Sequence, residues 1–178
     1  MLSEANIYMH LNTSISLETE RIRLTTLSQS DAAFMHDLMN TPDWIEFIGD
    51  RKIVSINAAV EYIKTVEANP EVNFWLITEK QDNKPVGVIT LIKKAYLEFP
   101  DIGFALLPAH YKRGFAHEGS KLILDLYFSN QQAKIILATS LRHNHRSISL
   151  LSKLGFLYQK EIFHEGNHLS VYSMNKIS

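Results

Sequence analysis

An apolar run, Ile102-Gly103-Phe104-Ala105-Leu106-Leu107, leads into Tyr111-Lys112-Arg113-Gly114-Phe115-Ala116 and then into an amphipathic stretch, His117 to Asn130. A strand, a short basic turn with a glycine, and a helix in that order build an anion site. The first backbone N–H groups of a helix have no internal partner, and the helix dipole favours negative charge there. Gly114 lets the backbone approach a phosphate with no Cβ in the way. Lys112 and Arg113 add positive charge beside the helix start, and Ala116 is small. The local alternative is a tight strand-to-helix connection with no ligand.

The rest of the chain agrees with an α/β domain. Alternation in Arg21-Ile22-Arg23-Leu24-Thr25 predicts a half-buried strand. Ser28-Gln29-Ser30-Asp31 resembles a capping box, ahead of a helix with Phe34, Met35, Leu38 and Met39 on one face. Thr41-Pro42-Asp43 breaks it, and Trp44 to Lys52 reads as a loop or a short helix. Ser55 caps a second helix ending near Asn69-Pro70. Strands follow at Asn73–Glu79, Val86–Ile92 and Phe99–Leu107. After the glycine turn, a helix directs Leu122, Ile123 and Leu126 to the core. Lys134–Thr139 is a strand, His145–Leu154 a helix stopped by Gly155, and two last strands flank Glu165-Gly166-Asn167. The predicted order is β-αα-βββ-α-β-α-ββ, a mixed and mostly antiparallel sheet flanked by helices.

With 178 residues, the chain suits one domain spanning 1–178, with 1–16 read as a loose arm. The net charge is −1 and the cations are dispersed, which argues against a nucleic-acid surface. The chain has no cysteine, so thiolate nucleophiles, disulfides and cysteine-based zinc sites are excluded. His143 and His145 flank Asn144 without a predicted carboxylate beside them, and no metal is expected. No signal peptide is recognisable, and no apolar run approaches the roughly 20 residues that span a bilayer. The expectation is a cytoplasmic protein with no membrane partner.

A second motif, Asn144-His145-Arg146-Ser147, runs on to Lys153-Leu154-Gly155-Phe156. Asn144 is a natural N-cap, and at a ligand cleft it would also bond an amide-bearing cofactor arm. Taken together, these residues resemble the GNAT superfamily of acyl-CoA-dependent N-acyltransferases. The family's pyrophosphate loop is Gln/Arg-x-x-Gly-x-Gly/Ala, matched here by Gly114 and Ala116, with Tyr111 in place of Gln or Arg. That aromatic, Glu118, Asp101-Ile102-Gly103-Phe104, Asn144-x-x-Ser147 and Leu17-Glu18-Thr19-Glu20-Arg21-Ile22-Arg23-Leu24 are similar to the ribosomal-protein N-acetyltransferase (RimJ/RimL-like) branch. The likeness covers roughly residues 17 to 175.

The resemblance implies transfer of an acetyl group from acetyl-CoA to a primary amine, by direct attack in a ternary complex. Lys112, Arg113, Gly114, Phe115, Ala116, Asn144 and Ser147 would hold the cosubstrate. A backbone N–H near Leu106 or Leu107 would stabilise the developing oxyanion. The amine must lose a proton, and Asp101 or Glu98 is the candidate base, directly or through water. Many family members protonate the leaving thiolate with a tyrosine; that position is Leu151 here, which leaves Ser147 as the substitute. The acceptor is a protein N-terminus, as in the ribosomal branch, or a small amine. The protein would be a monomer or a homodimer. The missing tyrosine motivates an alternative, a non-catalytic module that binds and senses acetyl-CoA.

Overall fold

Ile22 and Leu24 are fully buried while Arg23 between them is only half-buried. This two-residue period forms β2 (Ile22–Thr26). The structure, a computed structural model, describes residues 15–176. β2 lies between β1 (Ser16–Glu18) and β3 (Val72–Glu79), followed by β4 (Lys84–Ile92) and β5 (Asp101–Leu106), all paired antiparallel. β6 (Ile135–Leu141) meets β5 in parallel. β8 (Asn167–Asn175) and β7 (Leu157–His164) complete one eight-stranded sheet in the order β1-β2-β3-β4-β5-β6-β8-β7. Glu165 and Gly166, both at positive φ, close the last hairpin with the backbone twist that two-residue turns favour.

Five α-helices cover the sheet. They are α1 (Ala32–Met39), α2 (Pro42–Phe47), α3 (Ile56–Ala68), α4 (Phe115–Ser129) and α5 (His145–Leu154). One face packs Ile22, Leu24, Trp75, Ile89 and Ile102 with Phe115, Ile123 and Tyr127 of α4 and Leu151 of α5. The other packs Phe74, Leu76 and Val88 with Met35 and Leu38 of α1, Trp44 of α2 and Ile63 of α3. Trp75 and Trp44 thus sit on opposite faces.

The mixed, mostly antiparallel sheet is as expected, with differences in detail. The observed order is ββ-ααα-βββ-α-β-α-ββ. Ser16, assigned to the loose arm, belongs to β1; the rest of the arm up to residue 14 lies outside the described residues. Pro42 ends α1 but also opens α2, because Thr41 accepts the Trp44 amide and a proline is at home in a first helical turn. β5 starts at Asp101, two residues later than expected, since Leu97 and Phe99 leave the sheet to cover Leu137 and Val171. On α4 the buried stripe is Ala116, Gly119, Ser120, Ile123, Leu124 and Tyr127; Leu122 and Leu126 only flank it.

Where β5 meets β6 the sheet is parted. The register pairs Asp101 with Leu137 and no other position, and the Leu137 amide donates to the Pro100 carbonyl at 2.8 Å. Beyond that point the two strands diverge toward their C-terminal ends, where α4 and α5 begin.

β4 and β5 approach closely at Gly87, where an added Cβ would stand 2.3 Å from the Ala105 carbonyl oxygen and 2.3 Å from the Leu106 side chain. Because backbone cannot yield as a side chain tip does, Gly87→Ala is expected to destabilise the fold by about 1–3 kcal/mol. A shift of the urea midpoint reads this, and an unchanged midpoint would contradict the close pairing.

Candidate active site

Pro108 opens a short 3-10 turn, Pro108–His110, and Tyr111 leaves it extended. Lys112 and Gly114 then adopt left-handed backbone, at φ +60° and +86°. For glycine this is free; for lysine it costs on the order of 1 kcal/mol. α4 starts immediately afterwards, its first hydrogen bond running from the Glu118 amide to the Gly114 carbonyl at 3.0 Å. Gly114 offers no side-chain cap, and among the described residues nothing accepts from the backbone amides of residues 112–117. A curved row of free donors at a helix start is what an anion requires.

The turn is braced from behind. Arg21 donates to the Arg113 carbonyl at 3.0 Å and pairs with Glu118, which also accepts from the Thr19 hydroxyl. Arg113 sends its guanidinium to Glu79, a buried carboxylate at the end of β3, at 2.5 and 3.2 Å. The Phe115 ring is near both guanidiniums, 5.2 Å from that of Arg21 and 4.8 Å from that of Arg113. The sequence placed the Arg113 charge at the phosphate; the structure gives its side chain to Glu79 instead. Lys112 has no ion partner among the described residues.

Tyr111, which stands where the family loop carries Gln or Arg, donates its hydroxyl to Asp43 of α2 at 2.7 Å. Arg146, on the first turn of α5, also pairs with Asp43 and lies 4.5 Å over the Tyr111 ring. Burial, and then the Asp43 carboxylate, push the Tyr111 phenol well above its ordinary range. Beside this cluster, His143 pairs with Glu46 at 3.3 Å and packs on Phe47. α2 therefore bridges the segments that follow β5 and β6, a link with no local trace in the sequence. The carboxylate found against His143 is one the sequence did not show.

On the α5 side, the Asn144 side chain accepts the Ser147 amide at 3.1 Å, the expected N-cap. Its amide nitrogen has no partner among the described residues and remains able to donate. Ser147 is half-buried in the first turn of α5, and Leu151 is buried, so no polar group replaces the family tyrosine there.

The two oxyanion candidates separate. Leu107 donates its amide to the Val86 carbonyl at 2.9 Å. Strand alternation then turns the Leu106 amide toward the β6 side, where the ladder has ended. Leu106 is the available donor and Leu107 is not.

The candidate bases lie elsewhere. Asp101 opens β5 and is buried, with Oδ2 2.7 Å from Lys94 Nζ. Lys94 also donates to Thr139 of β6 at 2.9 Å. Burial pushes the Asp101 carboxyl up, against the pull of Lys94, while the pairing raises Lys94 despite its own burial. At the strand rise, Asp101 and Leu106 are about 16 Å apart along β5. The structure thus does not bring Asp101 to the Leu106 amide; the carboxylate pins the strands where they part. Glu98 is exposed in the segment before β5.

An open groove of about 610 Å³ runs along α4, lined by Arg21, Gly114, His117, Glu118, Lys121 and, from α5, Lys153. It reaches the turn at Gly114 and His117 and mixes both signs of charge. Among the described residues no three metal-ligating side chains gather, and no helix is long and apolar enough to cross a membrane.

Parted strands, with a helix start carrying unpaired amides beside them, agree with the resemblance to the acyltransferase superfamily. A sequence model of the acetyltransferase (GNAT) domain matches residues 21–157, and the chain belongs to this family. It is an acetyltransferase, of a family that uses acetyl-CoA. The chain is similar to the uncharacterized N-acetyltransferase YoaA of Bacillus subtilis (strain 168), at 28% identity over 82% of this chain and 83% of that one. Its fold is shared with ribosomal-protein-S5-alanine acetyltransferase from Vibrio fischeri, at a TM-score of 0.74 and 15% identity over 90% and 96% of the two chains. It is shared equally with aminoglycoside acetyltransferase AAC(6')-Ib, solved with coenzyme A, at 0.74 and 15% over 87% and 95%. The fold therefore does not select the ribosomal branch.

Two outcomes test the geometry. The Tyr111 phenol, raised in the folded state, contributes stability that is present below its unfolded pKa of 10.0 and is lost as the pH rises through the raised value. Wild-type melting temperature is therefore expected to fall more steeply than that of Tyr111→Phe above pH 10; parallel profiles would contradict the Asp43 bond. Lys94→Met leaves Asp101 buried without its cation and is expected to cost roughly 3 kcal/mol, with Lys94→Met/Asp101→Leu recovering much of it. Denaturant melts of the two variants decide this.

Proposed function

We propose that this protein transfers the acetyl group of acetyl-CoA to a primary amine by direct attack in a ternary complex. One observation carries the reading. The free amides of residues 112–117 stand beside strands that part after a single paired position. The amides suit a pyrophosphate, and the gap suits an amide-bearing arm that needs strand-edge partners. Gly114, Phe115 and Ala116 supply backbone donors, Lys112 the free charge and Asn144 a side-chain donor across the gap. The Leu106 amide, aimed at the β6 side, holds the oxyanion that develops at the attacked carbonyl. Ser147, in the first turn of α5, assists the departing thiolate.

With Asp101 paired to Lys94 at the far end of β5 and Glu98 at the surface, the ammonium proton leaves through water, and the basicity of the acceptor sets much of the pH dependence. Near the mouth, Asp43 is paired with Arg146, which leaves less free negative charge for a polycation. Ile45, Ile48, Val54 and Ile56, on and after α2, are exposed apolar residues. That margin favours a peptide N-terminus with its side chains as the acceptor, in keeping with the branch resemblance.

Calorimetric titration with acetyl-CoA tests the reading, followed by acetyl transfer to peptide N-termini and small amines. Gly114→Asp places a side chain and a negative charge against the amides, in a backbone conformation that disfavours it, and is expected to abolish binding. Equal affinity in the folded variant would refute the placement. Ser147→Ala is expected to lower kcat about tenfold with little change in acetyl-CoA affinity, the size of one lost hydrogen bond to a developing charge. An unchanged kcat would remove the hydroxyl from the reaction. Binding without turnover on any amine would instead favour the sensing module.

A further inference from the structure

The two cations of the turn have different duties. Lys112 is without an ion partner among the described residues, whereas Arg113 is held by Glu79 through both terminal nitrogens. Glu79 is 4% exposed. His110 lies 3.7 Å from the same carboxylate, so the grip joins the end of β3 to the 3-10 turn as well.

We propose that Glu79 is a positioning residue for the cosubstrate turn: by fixing the Arg113 fork it holds the free amides in register with the pyrophosphate, and Arg113 acts through that geometry instead of through its charge. This rests on the acetyl-CoA reading above.

The peptide bond carries the argument. In a planar trans peptide the carbonyl and the following N–H point in opposite directions. Arg21 takes the Arg113 carbonyl at 3.0 Å, so the Gly114 N–H is turned away from the brace. The Glu79–Arg113 pair fixes the same residue through its side chain, because a guanidinium fork bound at two points has one orientation. Phe115, 1% exposed, packs against both guanidiniums and anchors the helix start in the core. Together these contacts stabilise the left-handed backbone at Lys112.

The sign of one effect separates positioning from electrostatics. Glu79 is a carboxylate near a site for a polyanion, so by Coulomb's law alone its removal tightens binding. If it positions the turn, removal weakens binding.

The test is calorimetric titration of acetyl-CoA, at two salt concentrations, on the full chain. Wild type, Glu79→Gln, Arg113→Lys and Lys112→Met are compared below their melting temperatures. Glu79→Gln is expected to raise Kd about tenfold, the loss of one charged hydrogen bond at the pyrophosphate. Arg113→Lys keeps the charge but loses the fork and is expected to behave alike, with the salt dependence of the wild type. Lys112→Met is expected to raise Kd and flatten the salt dependence. Unchanged or tighter binding by Glu79→Gln, or wild-type affinity in Arg113→Lys, overturns the proposal. Since removing one partner of a buried pair endangers folding, Glu79→Gln/Arg113→Met is the second variant; wild-type affinity in that folded protein overturns the proposal equally. If the wild type itself does not bind acetyl-CoA, the functional reading fails and the positioning role with it.

Discussion

Lys94 sits between two strands that touch at one position. Its ammonium bonds Asp101 at the start of β5 and Thr139 within β6, and the parallel ladder ends at the Asp101–Leu137 pair. A parallel pair that continued would use the donors of both strands and leave no opening. Because it stops, the Leu106 amide is left aimed at the gap, and the helix starts that follow β5 and β6 stand apart. The ion pair is half in the core, with 6% of the Asp101 side chain and 26% of the Lys94 side chain exposed. Such a pair adds little net stability compared with an apolar pair, and its value is to specify where the strands separate.

The turn above the gap is built on a division of labour. Its carbonyl and one of its side chains face inward to Arg21 and Glu79, while its amides face outward without partners. Unpaired amides and left-handed lysine are both unfavourable in isolation, and the brace is what allows them to persist. Tyr111 adds a third support through Asp43, so that α2, the glycine turn and the start of α5 share one cluster. A residue that faces phosphate in the family loop has here become part of the scaffold.

Much of the fold was legible because it is local. Ile22 and Leu24 alternate, Gly155 stops a helix, and Asn144 caps one; each signal lies within a few residues of the structure it dictates. β1 was not legible, since three residues carry no period and only the pairing with β2 makes them a strand. Pro42 was read as an ending alone, although the Thr41 before it made it equally a beginning. At the site, Gly114 and Asn144 announced themselves by type and spacing. Glu79, Arg21, Asp43 and Lys94 did not, because an ion pair between distant segments is set by the tertiary fold and leaves no mark on its neighbours. The same holds for Arg113, since the direction of its side chain depends on a carboxylate in another strand. Arg21 and Glu118 each figured in a motif, and only the structure shows that the two motifs meet in one salt bridge.

The two tryptophans give this arrangement an optical consequence. Trp75 is sealed on the face beneath α4, and Trp44, next in sequence to Asp43, is sealed on the other face beneath α2. Both indole N–H groups are buried without a hydrogen-bond partner among the described residues, so each chromophore sits in an apolar environment. Their emission belongs at the blue end of the tryptophan range, and with one of them replaced by phenylalanine the spectrum becomes a local record of a single face. The chain carries its own label on α2 and a second beneath α4, with no dye to attach and no cysteine to introduce.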